Sequence, residues 1–153
     1  MTSPELLIIG VGSPLMGDDG IGVTVAERLA GEPLPAGVAV VEAGTIGLGL
    51  LDLWQGYERV WLVDAVRMGR SPGSWRWLDA ADLLCLEPGG FDAHAGPAGV
   101  LQLAMALDAL PQEFSLLAVE PGLVERRMGL SMAGRRGVAA ALAELRRRLE
   151  CGE

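Results

Sequence analysis

The chain alternates short apolar runs with stretches in which apolar residues recur every three or four positions. The runs have the length of buried β-strands and end at glycines, acids or turn sequences. They predict five strands, at Glu5–Ile9, Gly37–Val41, Arg59–Val63, Trp75–Leu78 and Phe114–Val119. The fourth of these is short and follows a turn sequence, which is compatible with an antiparallel strand.

The stretches with helical spacing lie between the predicted strands. Ile21, Val25 and Leu29 form the first stripe, Ile46–Trp54 is a short helix, and further stripes run from Val100 to Leu110 and from Val138 to Leu149. The resulting order is β-α-β-α-β-β-α-β-α. Such alternation predicts an α/β fold, a three-layer α/β/α sandwich with a mostly parallel, twisted sheet of about five strands. At 153 residues, we expect one domain covering 1–153.

Composition narrows the range of functions. Half of the residues are hydrophobic and the net charge is −8. An acidic surface disfavours nucleic acids and anionic membranes as partners. All 12 basic residues are arginines, so lysine-dependent P-loops, Schiff bases and Ser–Lys dyads are excluded. The single histidine, His94, must supply any step that requires imidazole.

Cysteine use and the N-terminal sequence predict where the protein resides. Cys85 and Cys151 form neither a CxxC motif nor a disulfide framework, so we expect reduced thiols in a cytoplasmic protein. The first ten residues lack the pattern of a secretory signal, and no apolar run reaches the length of a membrane span. Nothing in the sequence marks a dimer interface, so a monomer is expected.

Three segments place polar residues where the parallel strands are predicted to end. They are the loop Gly10–Gly22, Asp64 after the third strand, and the glycine-rich loop around His94. Binding sites in open parallel sheets form at this edge. If Asp19, Asp64 and His94 converge there, they make a three-ligand set for a divalent metal such as Zn²⁺ or Ni²⁺, with a position left open for substrate.

The glycine-rich loop also invites a nucleotide-binding interpretation, with Glu42 as the ribose-binding acid. The sequence fits it poorly, because Leu15 replaces the third glycine and Pro14 has no backbone N–H. Two carboxylates at the start of the helix would also repel a pyrophosphate. The structural interpretation is that Asp18 caps this helix, which leaves Asp19 for chemistry.

The ordered set of motifs resembles the maturation endopeptidases of NiFe-hydrogenases over nearly the whole chain. The resemblance rests on the signature Gly10–Gly22, the segment Val63–Ala65, the His94 loop and the sequence Val119-Glu-Pro121, together with Glu42-Ala-Gly-Thr and Gly129-Leu-Ser131. It implies a peptidase that removes a C-terminal extension from the nickel-loaded large-subunit precursor. By position, the family's metal-contacting and catalytic residues correspond to Asp19, Asp64 and His94.

The resemblance further implies that the metal is the substrate's nickel, used for recognition, and that the enzyme holds no tight metal of its own. Ser13 departs from the asparagine usual in the family, and Asp19 reaches less far than the glutamate some members carry. A non-catalytic chaperone of the nickel subunit would share every motif. An aspartic dyad of Asp19 and Asp64 is an alternative route to cleavage. A serine mechanism lacks the G-x-S-x-G elbow, and Cys85 is expected to be buried and inert.

Overall fold

The computed structural model describes residues 5–45, 49–84 and 103–152. Its centre is a five-stranded sheet whose strands run in the order β2-β1-β3-β5-β4. The strands are β1 (Leu6–Val11), β2 (Val38–Gly44), β3 (Arg59–Ala65), β4 (Trp75–Leu78) and β5 (Glu113–Val119). Strands β1, β2, β3 and β5 pair in parallel, and β4 pairs antiparallel with β5. The prediction of a mostly parallel sheet is confirmed, including the antiparallel fourth strand.

Helices cover both faces of this sheet. They are α1 (Ile21–Ala30), α2 (Gly49–Trp54), α3 (Ala80–Leu84), the helical residues 103–106, which we label α4, and α5 (Met132–Glu150). The sequence did not predict α3. The predicted start of α2 at residues 46–48 and the stripe before residue 103 lie outside the described residues.

Two hydrophobic cores follow from the alternation of side chains along the strands. Leu7 and Ile9 of β1 face α2, α3 and α4, whereas Leu6 and Ile8 face α1 and α5. All six residues of β1 are buried, as expected for a central strand covered on both faces. The three layers of the predicted α/β/α sandwich are therefore present.

Glycines allow α1 to cross the sheet at very short distance. A Cβ atom on Gly10 would lie 2.2 Å from the carbonyl oxygen of Gly22, and one on Gly22 would lie 2.2 Å from the carbonyl oxygen of Val63. Any side chain at either position would push the helix away from β1 and β3. This close crossing sets a single 3-10 turn, Gly17–Gly20, against β3.

The order of the strands creates a switch point beside β1. The chain leaves β1 to form β2 on one side and then returns to form β3 on the other. Loops diverge above such a point and leave a crevice at the carboxyl edge of the sheet. The residues that follow β1 and the last residues of β3 border this crevice. Among the described residues, no helix has both the length and the apolarity to cross a bilayer.

Candidate active site

Asp64 lies at the carboxyl edge of the sheet, on the central strand β3. The sequence placed it just after this strand, but the structure places it within the strand, paired with Ala118 of β5. The strand extends further because β5 continues the parallel ladder to Val119. Asp64 is buried, and its Oδ1 accepts a hydrogen bond from the backbone N–H of Ala65 at 2.8 Å.

Asp19 approaches the same edge from the 3-10 turn that precedes α1. Its side chain is partly exposed, and its Oδ2 accepts a hydrogen bond from the backbone N–H of Ser13 at 2.8 Å. This bond ties the carboxylate to the loop that follows β1. Position 13, where the sequence departs from the family pattern, thus contributes its backbone here, while its hydroxyl accepts from the N–H of Leu15 at 3.3 Å.

Gly12 lies between the two carboxyl-bearing residues. Its φ of 124° is in the region that favours glycine, and a Cβ atom there would lie 1.9 Å from the carbonyl oxygen of Asp19. The same atom would lie 3.5 Å from Oδ1 of Asp64. A glycine is therefore required for the Asp19 turn to close down beside Asp64.

The carboxyl group of Asp64 is affected by its burial and by the neighbouring Asp19. Burial raises the pKa of Asp64 well above its ordinary value of 3.8, and the nearby Asp19 carboxylate raises it further, against a smaller lowering by the Ala65 N–H. Two adjacent carboxyl groups of this kind retain a proton between them or attract a cation. The structure thus brings together two of the three predicted site residues.

The third predicted residue, His94, lies outside the described residues, and so does Cys85. Across residues 5–45, 49–84 and 103–152, no three histidine, cysteine or acidic side chains are grouped as a metal site would require. The structure therefore leaves the three-ligand hypothesis as a prediction. The carboxylates of Asp19 and Asp64 lie together, and the position of the His94 imidazole is untested. Cys151 is an exposed free thiol.

Asp18 has a different role from the one predicted. It does not cap α1, whose N-cap is Gly20 without a side-chain hydrogen bond. Its fully buried carboxylate instead accepts hydrogen bonds from the distant Ser131 N–H and Oγ–H, at 2.8 and 2.5 Å, and from the N–H groups of Gly122 and Leu123, at 2.7 and 3.0 Å.

Ser131 is itself the N-cap of α5, where its Oγ accepts from the N–H of Gly134. Asp18 therefore joins the 3-10 turn to the start of the last helix, where a negative charge suits the helix dipole. Burial alone would raise the pKa of Asp18, but the hydrogen bonds from Ser131, Leu123 and Gly122 outweigh this effect and lower it. Its partners lie more than 100 positions away, so no local pattern could have revealed this role.

Glu120 is a second buried acid that sequence reasoning left without a role. It follows β5, and its Oε1 accepts from the backbone N–H groups of Met68 and Arg70, at 2.7 and 3.0 Å. These bonds fix the turn between β3 and β4. Glu120 therefore organises the loop that leaves Asp64 rather than joining the pair of acids.

The geometry also disfavours the nucleotide-binding hypothesis. The N–H of Ser13, one of the loop amides that a phosphate would need, already donates a hydrogen bond to the Asp19 carboxylate. Glu42, the proposed ribose-binding acid, is exposed on the edge strand β2, level with Gly10 of β1. The fold and site thus define an α/β protein with a pair of carboxyl groups at its switch point, suited to a cation or to proton transfer rather than to a dinucleotide.

Comparisons with known proteins identify the family within this class. The family model for hydrogenase maturation proteases matches residues 23–147. A putative hydrogenase maturation protease of Methanocaldococcus jannaschii is 29% identical over 82% of this chain and 88% of its own length. The hydrogenase expression/formation protein HoxM of Azotobacter vinelandii is 32% identical over 82% of this chain, and the match spans 62% of that longer protein.

Solved structures agree with this assignment. The hydrogenase maturating endopeptidase HybD from E. coli superposes with a TM-score of 0.80 and 26% identity, covering 97% of this chain and 93% of its own. The chain belongs to the hydrogenase maturation protease family, and its class of activity is that of a peptidase. The resemblance seen in the motifs is confirmed.

Proposed function

We propose that this protein removes a C-terminal extension from the nickel-loaded large-subunit precursor of a NiFe-hydrogenase. The nickel carried by the precursor is recognised at Asp19 and Asp64, with His94 as the third contact. The observation that carries this proposal is the convergence of a buried carboxyl group, Asp64, with a partly exposed one, Asp19, at the switch point of the sheet. The family membership supplies the class of reaction.

The chemistry of the pair fits a nickel ion that arrives already bound to the substrate. Carboxylate oxygens and imidazole nitrogens are suitable ligands for nickel, and two carboxylates with one imidazole form a site of modest affinity. Because Asp64 is buried beside Asp19, it holds its proton more tightly than a free carboxyl group. A cation that docks there displaces this proton, so nickel binding and proton release are coupled.

The cation itself offers a physical basis for selectivity. A precursor without nickel brings no positive charge that could replace the proton of Asp64 beside Asp19. A loaded precursor gains affinity from the cation, and this difference decides which form is cut. The nickel belongs to the substrate in this proposal, so the enzyme needs no tightly held metal of its own. It acts as a cytoplasmic monomer, with neither nucleic acid nor membrane as a partner.

The aspartic dyad is the alternative mechanism for the same reaction. The raised pKa of Asp64 favours its protonated form beside a second carboxyl group, and a protonated carboxyl group can serve as the general acid in hydrolysis. This route needs no nickel. A chaperone that holds the nickel subunit without cutting it is the alternative from another class of function.

A processing assay separates these possibilities. Purified large-subunit precursor from the same organism, nickel-loaded or nickel-free, is incubated with the enzyme and scored by intact mass and C-terminal sequence. The proposal predicts that only the loaded form loses its tail. Equal cleavage of both forms would replace nickel recognition with the dyad, and stable binding of the loaded form without cleavage would indicate a chaperone.

A further inference from the structure

Six apolar side chains are exposed beside the candidate active site. They lie on two segments, the loop that follows β1 and the stretch from β5 into the first turn of α5, and are 36–76% exposed. We call them the rim patch, which consists of Leu15, Met16, Leu123, Val124, Met128 and Met132. Single exposed apolar residues are common, but several of them on two neighbouring segments suggest a surface that contacts another molecule.

Backbone hydrogen bonds hold the two segments together. The N–H of Gly17 donates to the carbonyl of Arg127 at 2.9 Å, and the N–H of Arg127 donates to the carbonyl of Leu15 at 3.1 Å. The N–H of Asp18 donates to the carbonyl of Leu123 at 2.7 Å, next to the carboxylate bonds that Asp18 makes with the same segment. The rim patch is therefore a preformed surface, which lowers the entropic cost of binding.

The patch adjoins Asp19, one of the catalytic candidates. Leu15 and Met16 belong to the loop in which Ser13 binds the carboxylate of Asp19. A peptidase must hold the polypeptide on at least one side of the bond that it cuts. An apolar surface that begins within a few residues of Asp19 is placed to hold the chain next to the scissile bond.

The positive charge around the patch indicates which kind of partner surface it can bind. Arg126, Arg127, Arg135 and Arg136 are all exposed and, within the described part of the chain, form no ion pairs with acids. Glu125 is the one acidic residue between positions 122 and 136. This basic border stands out in a chain of net charge −8 and complements carboxylates on a partner.

We propose that the rim patch docks an apolar segment of the hydrogenase large-subunit precursor that flanks the cleavage site and carries acidic residues facing the four arginines. This inference rests on the proposed function and deepens it, because it names the surface that binds the protein part of the substrate. Nickel recognition and chain recognition are then separate contributions to affinity. Buried apolar anchors of this kind dominate protein interfaces.

The test compares a double substitution in the patch with a matched control elsewhere. Leu15→Ser/Met128→Ser alters one highly exposed side chain on each segment, so folding is unaffected. Leu107→Ser is the control, because Leu107 is 61% exposed but lies in the turn before β5, toward the opposite edge of the sheet. The dissociation constant of the complex with nickel-loaded precursor is measured by biolayer interferometry, and kcat and KM are measured separately.

We expect the double variant to weaken binding and raise KM by at least about tenfold, with kcat within about twofold of the parent, since each lost anchor residue costs roughly a factor of ten. Leu107→Ser should change neither quantity. Arg135→Gln/Arg136→Gln should reduce the salt dependence of binding. Equal binding by the parent and the double variant would overturn the inference, even if the parent cleaves normally.

Binding is measured independently of cleavage, so the two proposals fail separately. A parent enzyme that binds through the patch but cuts nothing contradicts the proposed function and leaves the docking surface standing. Light scattering of the enzyme alone distinguishes the other possible occupant. A monomer is expected, whereas a dimer that dissociates on Leu15→Ser/Met128→Ser would show that the patch pairs with a second copy and would overturn the inference.

Discussion

Replacing Asp18 by asparagine should affect the stability of the fold, whereas replacing the adjacent Asp19 by asparagine should affect activity. Aspartate and asparagine have nearly the same shape, so each change to asparagine removes charge with little effect on packing. Asp18 is fully buried and accepts four hydrogen bonds, whereas Asp19 is partly exposed and accepts one from Ser13. We expect Asp18→Asn to destabilise the fold and Asp19→Asn to abolish processing while the protein stays folded.

The hydrogen bonds of Asp18 set the magnitude. Its Oδ2 accepts three of them, so the least damaging placement of an asparagine keeps its oxygen there and turns its NH₂ group toward the N–H of Ser131. This loses one charge-assisted bond, worth about 1.5–3 kcal/mol, and weakens the other three. We therefore expect a loss of about 3–4 kcal/mol, which lowers Tm by roughly 10 °C in a domain of this size.

The pH dependence provides an independent check on Asp18. Because its folded pKa lies below the ordinary value of 3.8, its stabilisation is present above that value and disappears as the pH falls through the folded pKa. The difference in Tm between the parent and Asp18→Asn should therefore shrink in acid. For Asp19→Asn we expect a stability change of less than about 1 kcal/mol at pH 7, as for other partly exposed sites.

The assay is thermal unfolding followed by circular dichroism at several pH values, combined with processing assays at a temperature where both variants are folded. At such a temperature Asp18→Asn should retain much of the parent's activity, because the variant is folded, whereas Asp19→Asn should show none. A structural role for Asp18 would be refuted if Asp18→Asn melted within about 1 °C of the parent, or if Asp19→Asn cost as much stability as Asp18→Asn.

Three further predictions follow from the site. Gly12→Ala should abolish processing and destabilise the fold, as activity and melting curves would show. Gly44→Ala is the control: Gly44 also has a positive φ, but no atom lies within 4 Å of the added Cβ, so the variant should lose only about 1 kcal/mol of stability. Asp64→Asn should raise stability above pH 4 but remove activity. Because the pKa of Asp64 is raised in the folded state, its stabilising effect is complete below pH 3.8 and is lost as the pH rises through the folded pKa. A stability–pH curve of Asp64→Asn that runs parallel to that of the parent would contradict this prediction. His94→Ala should leave Tm unchanged and stop processing, and a normal rate would refute its role.

The fold could be predicted well because its strands are buried on both faces. Continuous apolar runs identified β1, β3 and β5 to within a few residues, and the alternation with helical stripes gave the layers. The ends of the strands were less accurate, since they depend on partners. Asp64 was expected beyond β3, yet the ladder with β5 draws it into the strand. The short helix α3 has too few residues to form a periodic pattern.

Only part of the site could be predicted from the sequence. Asp19 and Asp64 could be selected because topology places the end of each strand at the same edge. Asp18 was wrongly taken as a cap of α1, because nothing near it in sequence reveals Ser131 and Gly122 as its partners. The rim patch escaped notice for the same reason, as its two segments are more than 100 residues apart.

The most direct test of nickel recognition is X-ray absorption at the nickel edge of the enzyme–precursor complex, frozen before cleavage. We expect nickel to gain oxygen and nitrogen ligands when the precursor binds the enzyme, and Asp19→Asn to remove at least one of them. An unchanged nickel spectrum in a complex that goes on to cleave its substrate would contradict recognition of the metal by Asp19, Asp64 and His94.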